Sequence, residues 1–104
     1  MEPIPRQFDD HTFRYSQEWR EGMWAIYRQE HKQGRAVRFE VVRLHIQPER
    51  TWPNGQTTPE KESYPPSSAW GREGWTCFTR HEADALLATV RQETTTPQIH
   101  EETL

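Results

Sequence analysis

The stretch "YPPSSAWGREGWTCFTRHEADALLATV", residues 64–90, contains the clearest structural signals of the chain. Its "TRHE" has the form of a capping box, in which the Thr79 hydroxyl accepts from the Glu82 backbone N–H and the Glu82 side chain reaches back to Thr79. Apolar residues then recur at helical spacing, at Ala83, Leu86, Leu87 and Val90. We therefore predict a helix over about residues 80–92, directly after a short strand at 74–79.

Two glycines in the same stretch predict a tight turn. Gly71 and Gly74 are three residues apart and allow positive φ, and the bulky rings beside them can lie over bare backbone. The flanking tryptophans are open to two interpretations, as residues of the core or its rim, or as part of an exposed recognition surface. The second interpretation predicts a binding surface formed by Trp70, Arg72, Glu73 and Trp75.

The best strand candidate lies earlier in the chain, at residues 36–47. Its apolar residues change phase at Val41–Val42, which suggests either a bulge or a stretch buried on both faces. Further strands are predicted at 12–16 and 23–31, with a turn at 32–35.

Prolines and polar residues set the predicted boundaries. Residues 1–11 are expected to form a flexible N-terminal arm, residues 12–92 a single domain, and residues 93–104 a disordered tail. Residues 48–62 are expected to be a long polar connection. The predicted fold class is α+β, a three- to four-stranded antiparallel meander with one C-terminal helix packed on it.

The charge of the chain is unevenly distributed. The formal net charge is −3, yet residues 20–50 carry seven positive and four negative side chains. If the strands at 23–31 and 36–47 form a hairpin, Arg28, Arg38 and Arg43 could share one sheet face. Together with nearby aromatic residues, such a face would suit nucleic acid. The alternative is a solvated face whose charge is balanced by glutamates.

Residue patterns that carry catalysis or bind metals are missing from the sequence. No two of the five histidines lie three or four residues apart, and none pairs with the single cysteine, Cys77, at metal-ligand spacing. We expect Cys77 to be a buried structural thiol, and Glu60 and Glu62 to be solvated. The chain is therefore predicted to be no enzyme and to bind no metal or cofactor.

The sequence also shows no membrane-targeting pattern. No apolar run approaches the ~20 residues needed to span a bilayer. The first ten residues lack the features of a signal peptide. A cytoplasmic location and no membrane partner are the resulting expectations.

Part of the opening stretch resembles a motif of small proteins from bacterial phages and plasmids. The general form is Tyr-Pro-x-Ser-x-x-Trp-Gly-x-x-Gly-Trp-Thr, and the matching residues are Tyr64, Pro65, Ser67, Trp70, Gly71, Gly74, Trp75 and Thr76. The resemblance covers about 25 residues and implies no known reaction.

The same stretch resembles part of the WGR domain, a nucleic-acid-interacting module found beside poly-ADP-ribose polymerase catalytic domains. The matching residues are Trp70, Gly71, Arg72, Gly74, Phe78, Glu82 and Ala83. The chain departs from that family where "YPPSS" replaces a strand before the tryptophan.

These observations predict a non-catalytic binding protein of a phage or mobile element. It would act by occupying the surface of a host or viral protein, as inhibitors of bacterial defence systems do. The alternative is a nucleic-acid-binding module that uses the arginine-rich hairpin and the WGR-like turn. A small oligomeric structural protein is a third possibility, because sheets have exposed edges, and a homodimer is one possible assembly.

Overall fold

The computed structural model of the protein describes residues 1–34 and 36–95, with the side chains of 93–95 excepted. Nine strands and one α-helix are present in these residues. In chain order they are β1 (Gln7–Asp9), β2 (Phe13–Glu21), β3 (Trp24–His31), β4 (Val37–Arg43), β5 (His45–Gln47), β6 (Arg50–Thr51), β7 (Thr57–Thr58), β8 (Lys61–Ser63), β9 (Gly74–Cys77) and α1 (Arg80–Thr95). No described helix is long and apolar enough to cross a membrane.

Five of the strands form the main antiparallel sheet, in the order β1-β2-β3-β4-β9. The helix α1 contacts β4 and β9. Two short ladders, β5 with β8 and β6 with β7, lie in the connection between β4 and β9. The predicted α+β fold with a C-terminal helix is confirmed. The main sheet has one strand more than the upper expectation, because β1 joins it.

The central strands are buried on both faces of the sheet. In the register of β3 and β4, Ile26 lies opposite Val41, and Ala25 lies opposite Val42. Val41 and Ile26 pack with Ala83 and other residues of α1, whereas Val42 and Ala25 belong to an aromatic cluster on the other face. The phase change at Val41–Val42 therefore marks burial on both faces.

The capping box forms as predicted. The backbone N–H of Glu82 donates to the Thr79 hydroxyl over 3.0 Å, and the backbone N–H of Thr79 donates to the Glu82 carboxylate over 3.2 Å. The same carboxylate accepts from the backbone N–H of Phe78 over 2.9 Å. The sequence therefore defines the start of α1 by satisfying backbone donors that the first helical turn leaves unpaired.

The prediction that residues 1–11 form a flexible N-terminal arm is wrong. β1 pairs with β2, and Ile4 is buried in the aromatic cluster. The turn after β1 is closed by Asp10, whose carboxylate accepts from the backbone N–H groups of Thr12 (2.9 Å) and Phe13 (2.7 Å). The prolines and aspartates that suggested disorder thus surround a short ordered strand. Of the predicted tail, residues 93–95 are helical and residues 96–104 lie outside the described residues.

The expectation that Glu62 is solvated is also wrong. Both oxygens of Glu62 accept from the guanidinium of Arg20, each over 2.6 Å, and one oxygen also accepts from the backbone N–H of Ile4 over 3.0 Å. These bonds lower the pKa of Glu62 to about 2. Because Arg20 is on β2 and Glu62 on β8, this pair ties the polar connection and the N-terminal segment to the main sheet.

We predict that Glu62→Gln lowers the free energy of unfolding at pH 7 by about 2 kcal/mol, because a bidentate charge-assisted pair is lost. The ordinary pKa of 4.5 is lowered by folding, so this contribution is present above pH 4.5 and is lost as pH falls toward 2. Urea denaturation should show that the free energies of unfolding of Glu62→Gln and wild type differ less at pH 3 than at pH 7. Glu60→Gln, at an exposed neighbouring position, is the matched control. A loss of the same size in both variants would contradict the assignment.

Candidate functional site

The two tryptophans of the predicted recognition turn lie on opposite faces of the sheet. Trp70 packs against the aromatic cluster, with its ring centroid 6.4 Å from that of Tyr64. Trp75 lies on the helix side and stacks on Trp24, with centroids 6.3 Å apart and ring planes 22° apart. Both are half-buried. They do not form one exposed surface, so the interpretation as residues of the core rim describes them better.

The other two residues of that turn differ in their surroundings. Arg72 is exposed at the tip and donates to the backbone carbonyl of Ser68 over 3.3 Å. Glu73 is half-buried, and its carboxylate lies 2.6 Å from Nε2 of His45 on β5. Arg72 is thus the member of the turn that is fully available to a partner.

The spacing of the two glycines is explained by the position of the Trp70 ring. The ring lies over the bare backbone of Gly74, where an added Cβ would stand 2.6 Å from Cε3 of Trp70. The chain reverses at Gly71 with φ of 91°, a conformation that favours glycine. The indole Nε1 donates to the Thr76 hydroxyl over 3.1 Å, which fixes the orientation of the ring.

Next to Trp70, aromatic rings cover the sheet face that α1 leaves free. Phe8 and Tyr15 stack with centroids 4.8 Å apart, and Tyr64 contacts Tyr27 edge to face at 5.3 Å. Such offset and edge contacts are the arrangements that aromatic quadrupoles favour. These rings, contributed by β1, β2, β3 and the chain after β8, hold Tyr64 and Trp70 in place.

An open groove of about 470 Å³ lies at the edge of this cluster. We call it the Tyr64–Trp70 groove. Its volume falls within the range of small-ligand sites. The lining residues are Tyr15, Glu40, Tyr64, Pro65, Ser67 and Trp70.

Glu40, on β4, lines the groove, and the residue as a whole is only 6% exposed. One oxygen accepts from the Tyr64 hydroxyl over 2.7 Å, and the other accepts from Gln29 and Thr76, each over 3.3 Å. Burial raises the pKa of Glu40 above its ordinary value, although the bonds from Tyr64 and Thr76 act in the opposite direction. A buried carboxyl with a raised pKa beside a groove is a typical feature of binding and catalytic sites.

The position of Glu40 follows from the alternation of side chains along β4. Once Val41 and Val42 are assigned to opposite faces, period-two alternation places Glu40 on the face of Val42. It lies opposite Tyr27 on β3 and Thr76 on β9. A glutamate two residues from a buried valine in a central strand is therefore predicted to be buried on the same face.

The three arginines of the predicted nucleic-acid face do not share one face. Arg28 and Arg43 lie opposite Phe39 and Trp24, on the helix side, whereas Arg38 lies on the groove side. Arg43 lies over the Trp24 ring at 5.7 Å, and Arg38 lies over the Phe78 ring at 4.6 Å. The expectation of a common face is wrong because Arg38 occupies a position of opposite parity in β4.

Cys77 is half-buried on β9, and burial raises the pKa of its thiol. In the described part of the chain, no group of three or more His, Cys, Asp or Glu side chains is arranged to hold a metal ion.

Comparisons of the chain with protein-family models, with curated proteins and with solved structures found no match. The only support for the resemblances to the phage-type motif and to the WGR domain is therefore the set of matching residues in this sequence.

We predict that Gly74→Ala destabilises the protein by about 1–3 kcal/mol, because the added methyl group overlaps the Trp70 ring. In a Trp70→Ala background the same change should cost much less, since the obstructing ring is gone. A double-mutant cycle measured by urea denaturation isolates this coupling. Equal costs in both backgrounds would show that the ring does not lie over Gly74.

We also predict that Glu40→Gln flattens the pH dependence of stability above pH 4.5. Because folding raises the pKa of Glu40, the folded protein binds a proton more tightly than the unfolded chain, and stability falls as pH rises through this window. The variant lacks the titrating carboxyl and should lose this slope. Denaturation midpoints from pH 5 to 8 test it, with Glu49→Gln at an exposed position as control. An unchanged slope in Glu40→Gln would refute the assignment.

Proposed function

We propose that this protein is a non-catalytic binding protein that acts by protein–protein interaction, with the Tyr64–Trp70 groove at the centre of its contact surface. The observation that carries the proposal is that four residues of the phage-type motif, Tyr64, Pro65, Ser67 and Trp70, line this one groove. Aromatic residues are enriched at the energetic centres of protein interfaces. Arg72, at the exposed tip of the adjoining turn, extends the surface.

The rigidity of the groove also favours binding. Trp70 is held by the Thr76 hydroxyl and by contact with the Gly74 backbone, and Tyr64 by its bond to Glu40 and by ring contacts. Side chains that are ordered before binding lose little conformational entropy when a partner is bound. The groove therefore resembles preorganised recognition surfaces more than a mobile loop.

We further propose a phage or another mobile element as the source, the cytoplasm as the compartment, and a host or viral protein as the partner. Inhibition of a bacterial defence system is the specific role that fits such a protein. The phage-type motif supports the source. The net charge of −3 favours association with a basic surface.

The proposed surface predicts different effects for the two half-buried tryptophans of one turn. A tagged protein is used to capture partners from bacterial lysate, with and without nuclease, and the captured proteins are identified by mass spectrometry. Wild type and Trp75→Ala should retain a stoichiometric, nuclease-resistant partner, whereas Trp70→Ala should lose it. Circular dichroism is the control that shows whether both variants fold. Arg72→Ala should weaken capture without affecting the fold, because the side chain is exposed.

Two outcomes would overturn the proposal. Retention of the partner by a folded Trp70→Ala variant would exclude the groove as the contact surface. Loss of every partner after nuclease would favour nucleic acid, and binding would then fall steeply with salt. Light scattering of the purified protein shows separately whether a second copy of the chain is a partner.

A further inference from the structure

Glu40 is a buried carboxylate whose charge is not balanced by a cation. All three of its hydrogen-bond donors, from Gln29, Tyr64 and Thr76, are neutral. Among residues 1–34 and 36–95, no cationic side chain forms an ion pair with it. Burying an ionised group without an opposite charge is costly, and a cation supplied by a partner would offset that cost.

A second carboxylate adds to the negative potential near the groove. Oδ2 of Asp10 accepts from the Tyr15 hydroxyl over 3.4 Å, and the Gln29 amide bridges that hydroxyl (3.0 Å) to Glu40 (3.3 Å). The charge of Asp10 contributes to the raised pKa of Glu40. None of the six residues that line the groove is cationic.

Aromatic rings in the groove add a further attraction for positive charge. Tyr15, Tyr64 and Trp70 all line it. The faces of such rings carry negative electrostatic potential, and cations within about 6 Å of a ring centre are stabilised. A carboxylate beside three electron-rich rings is complementary to an ammonium or a guanidinium group and offers little to an anion.

We propose that the Tyr64–Trp70 groove binds a cationic side chain, a lysine ammonium or an arginine guanidinium, of the partner protein, with Glu40 as its counter-charge. This inference depends on the proposed function and specifies the chemistry of the same surface. An ionised carboxylate has about four acceptor sites, and Glu40 uses three of them for internal bonds. The two bonds to one oxygen are both 3.3 Å long, so an incoming cation competes only with weak donors at that atom.

Binding of the cation should strengthen as pH rises through the titration of Glu40, because only the ionised form supplies the counter-charge. The other acidic groups that face Glu40 titrate outside the range of pH 5 to 8. The pKa of Asp10 is lowered from 3.8, and those of Tyr15, Tyr27 and Tyr64 are raised from 10.0.

Three basic groups of β2, β3 and β4 lie on the groove side of the sheet. Arg20, opposite Ala25, is already paired with Glu62, and the other two must be controlled for. His31 packs against the Phe13 ring, with centroids 5.6 Å apart, and Arg38 lies over Phe78. Neither forms an ion pair with Glu40. His31→Gln is the control for this imidazole in the binding experiments.

The test uses NMR spectra of the full chain titrated with three single-residue probes. N-acetyl-lysinamide and N-acetyl-argininamide carry the two cations, and N-acetyl-norleucinamide is the neutral control of similar length. The cationic probes should shift the Trp70 Nε1–H and Tyr64 signals with dissociation constants on the order of millimolar, and the neutral probe should bind about tenfold more weakly. In wild type and in His31→Gln, the affinity should rise as pH increases above 4.5.

Variants test the counter-charge directly. Glu40→Gln should weaken cation binding about tenfold and remove its pH dependence. Glu60→Gln, which changes the net charge equally at an exposed position, should leave both unchanged. Equal affinity for norleucinamide and lysinamide in wild type, or no effect of Glu40→Gln, would overturn the inference. Because the probe comparison uses wild type, poor folding of a variant leaves the test intact.

This inference and the proposed function fail in different ways. In one outcome, Trp70→Ala abolishes partner capture, Glu40→Gln leaves capture unchanged and the cationic probes do not bind. In that case the groove binds protein through apolar contact, and only the proposal of a bound cation is wrong. If the probes bind at Trp70 but capture is insensitive to Trp70→Ala, the cation site exists and the proposed contact surface is wrong. If neither responds, both are wrong.

Discussion

The pairing of β3 with β4 is the constraint on which the rest of the molecule depends. Side chains alternate along a strand, so neighbouring pairs of this register face opposite sides of the sheet. The pair Ile26–Val41 faces α1, and the pair Ala25–Val42 faces the aromatic cluster. The two faces receive different covers, a helix on one and a layer of rings with the N-terminal segment on the other. The second cover leaves the Tyr64–Trp70 groove open, where a second helix would have closed it.

The same alternation places a charge where the sheet would otherwise be apolar. Glu40 is next to Val41 and shares a face with Val42, so it enters the aromatic layer and must find its donors there. The hydroxyl of Tyr64, at the tip of a ring of that layer, supplies one donor, and the Thr76 hydroxyl and the Gln29 amide supply the others. A buried carboxylate rarely stabilises a fold better than an apolar residue of similar size. Stability alone therefore does not explain its presence in the central strand.

Local patterns could be predicted from the sequence, and long-range partners could not. The Thr79–Glu82 box depends on atoms three residues apart, and the structure forms it as expected. The Arg20–Glu62 pair joins residues 42 apart in the chain, and no local pattern indicates it. The order of residues 1–11 likewise depends on β2 as a partner. The common arginine face failed because Arg38 and Arg43 are five residues apart in β4, which pairs with β3 without a register shift, so alternation directs them to opposite faces.

The motif of residues 64–76 is best understood as the description of one groove. Tyr64, Pro65, Ser67 and Trp70 line it, Gly71 and Gly74 allow the indole ring to lie against backbone, and Thr76 connects that ring to Glu40. Only Trp75 lies on the helix side, where it stacks on Trp24. The two tryptophans therefore have separate roles despite their symmetric places beside the glycines. The turn thus supplies one ring to the aromatic layer on one face of the sheet and one ring to the helix side, and this explains why both glycines and both tryptophans lie within six residues.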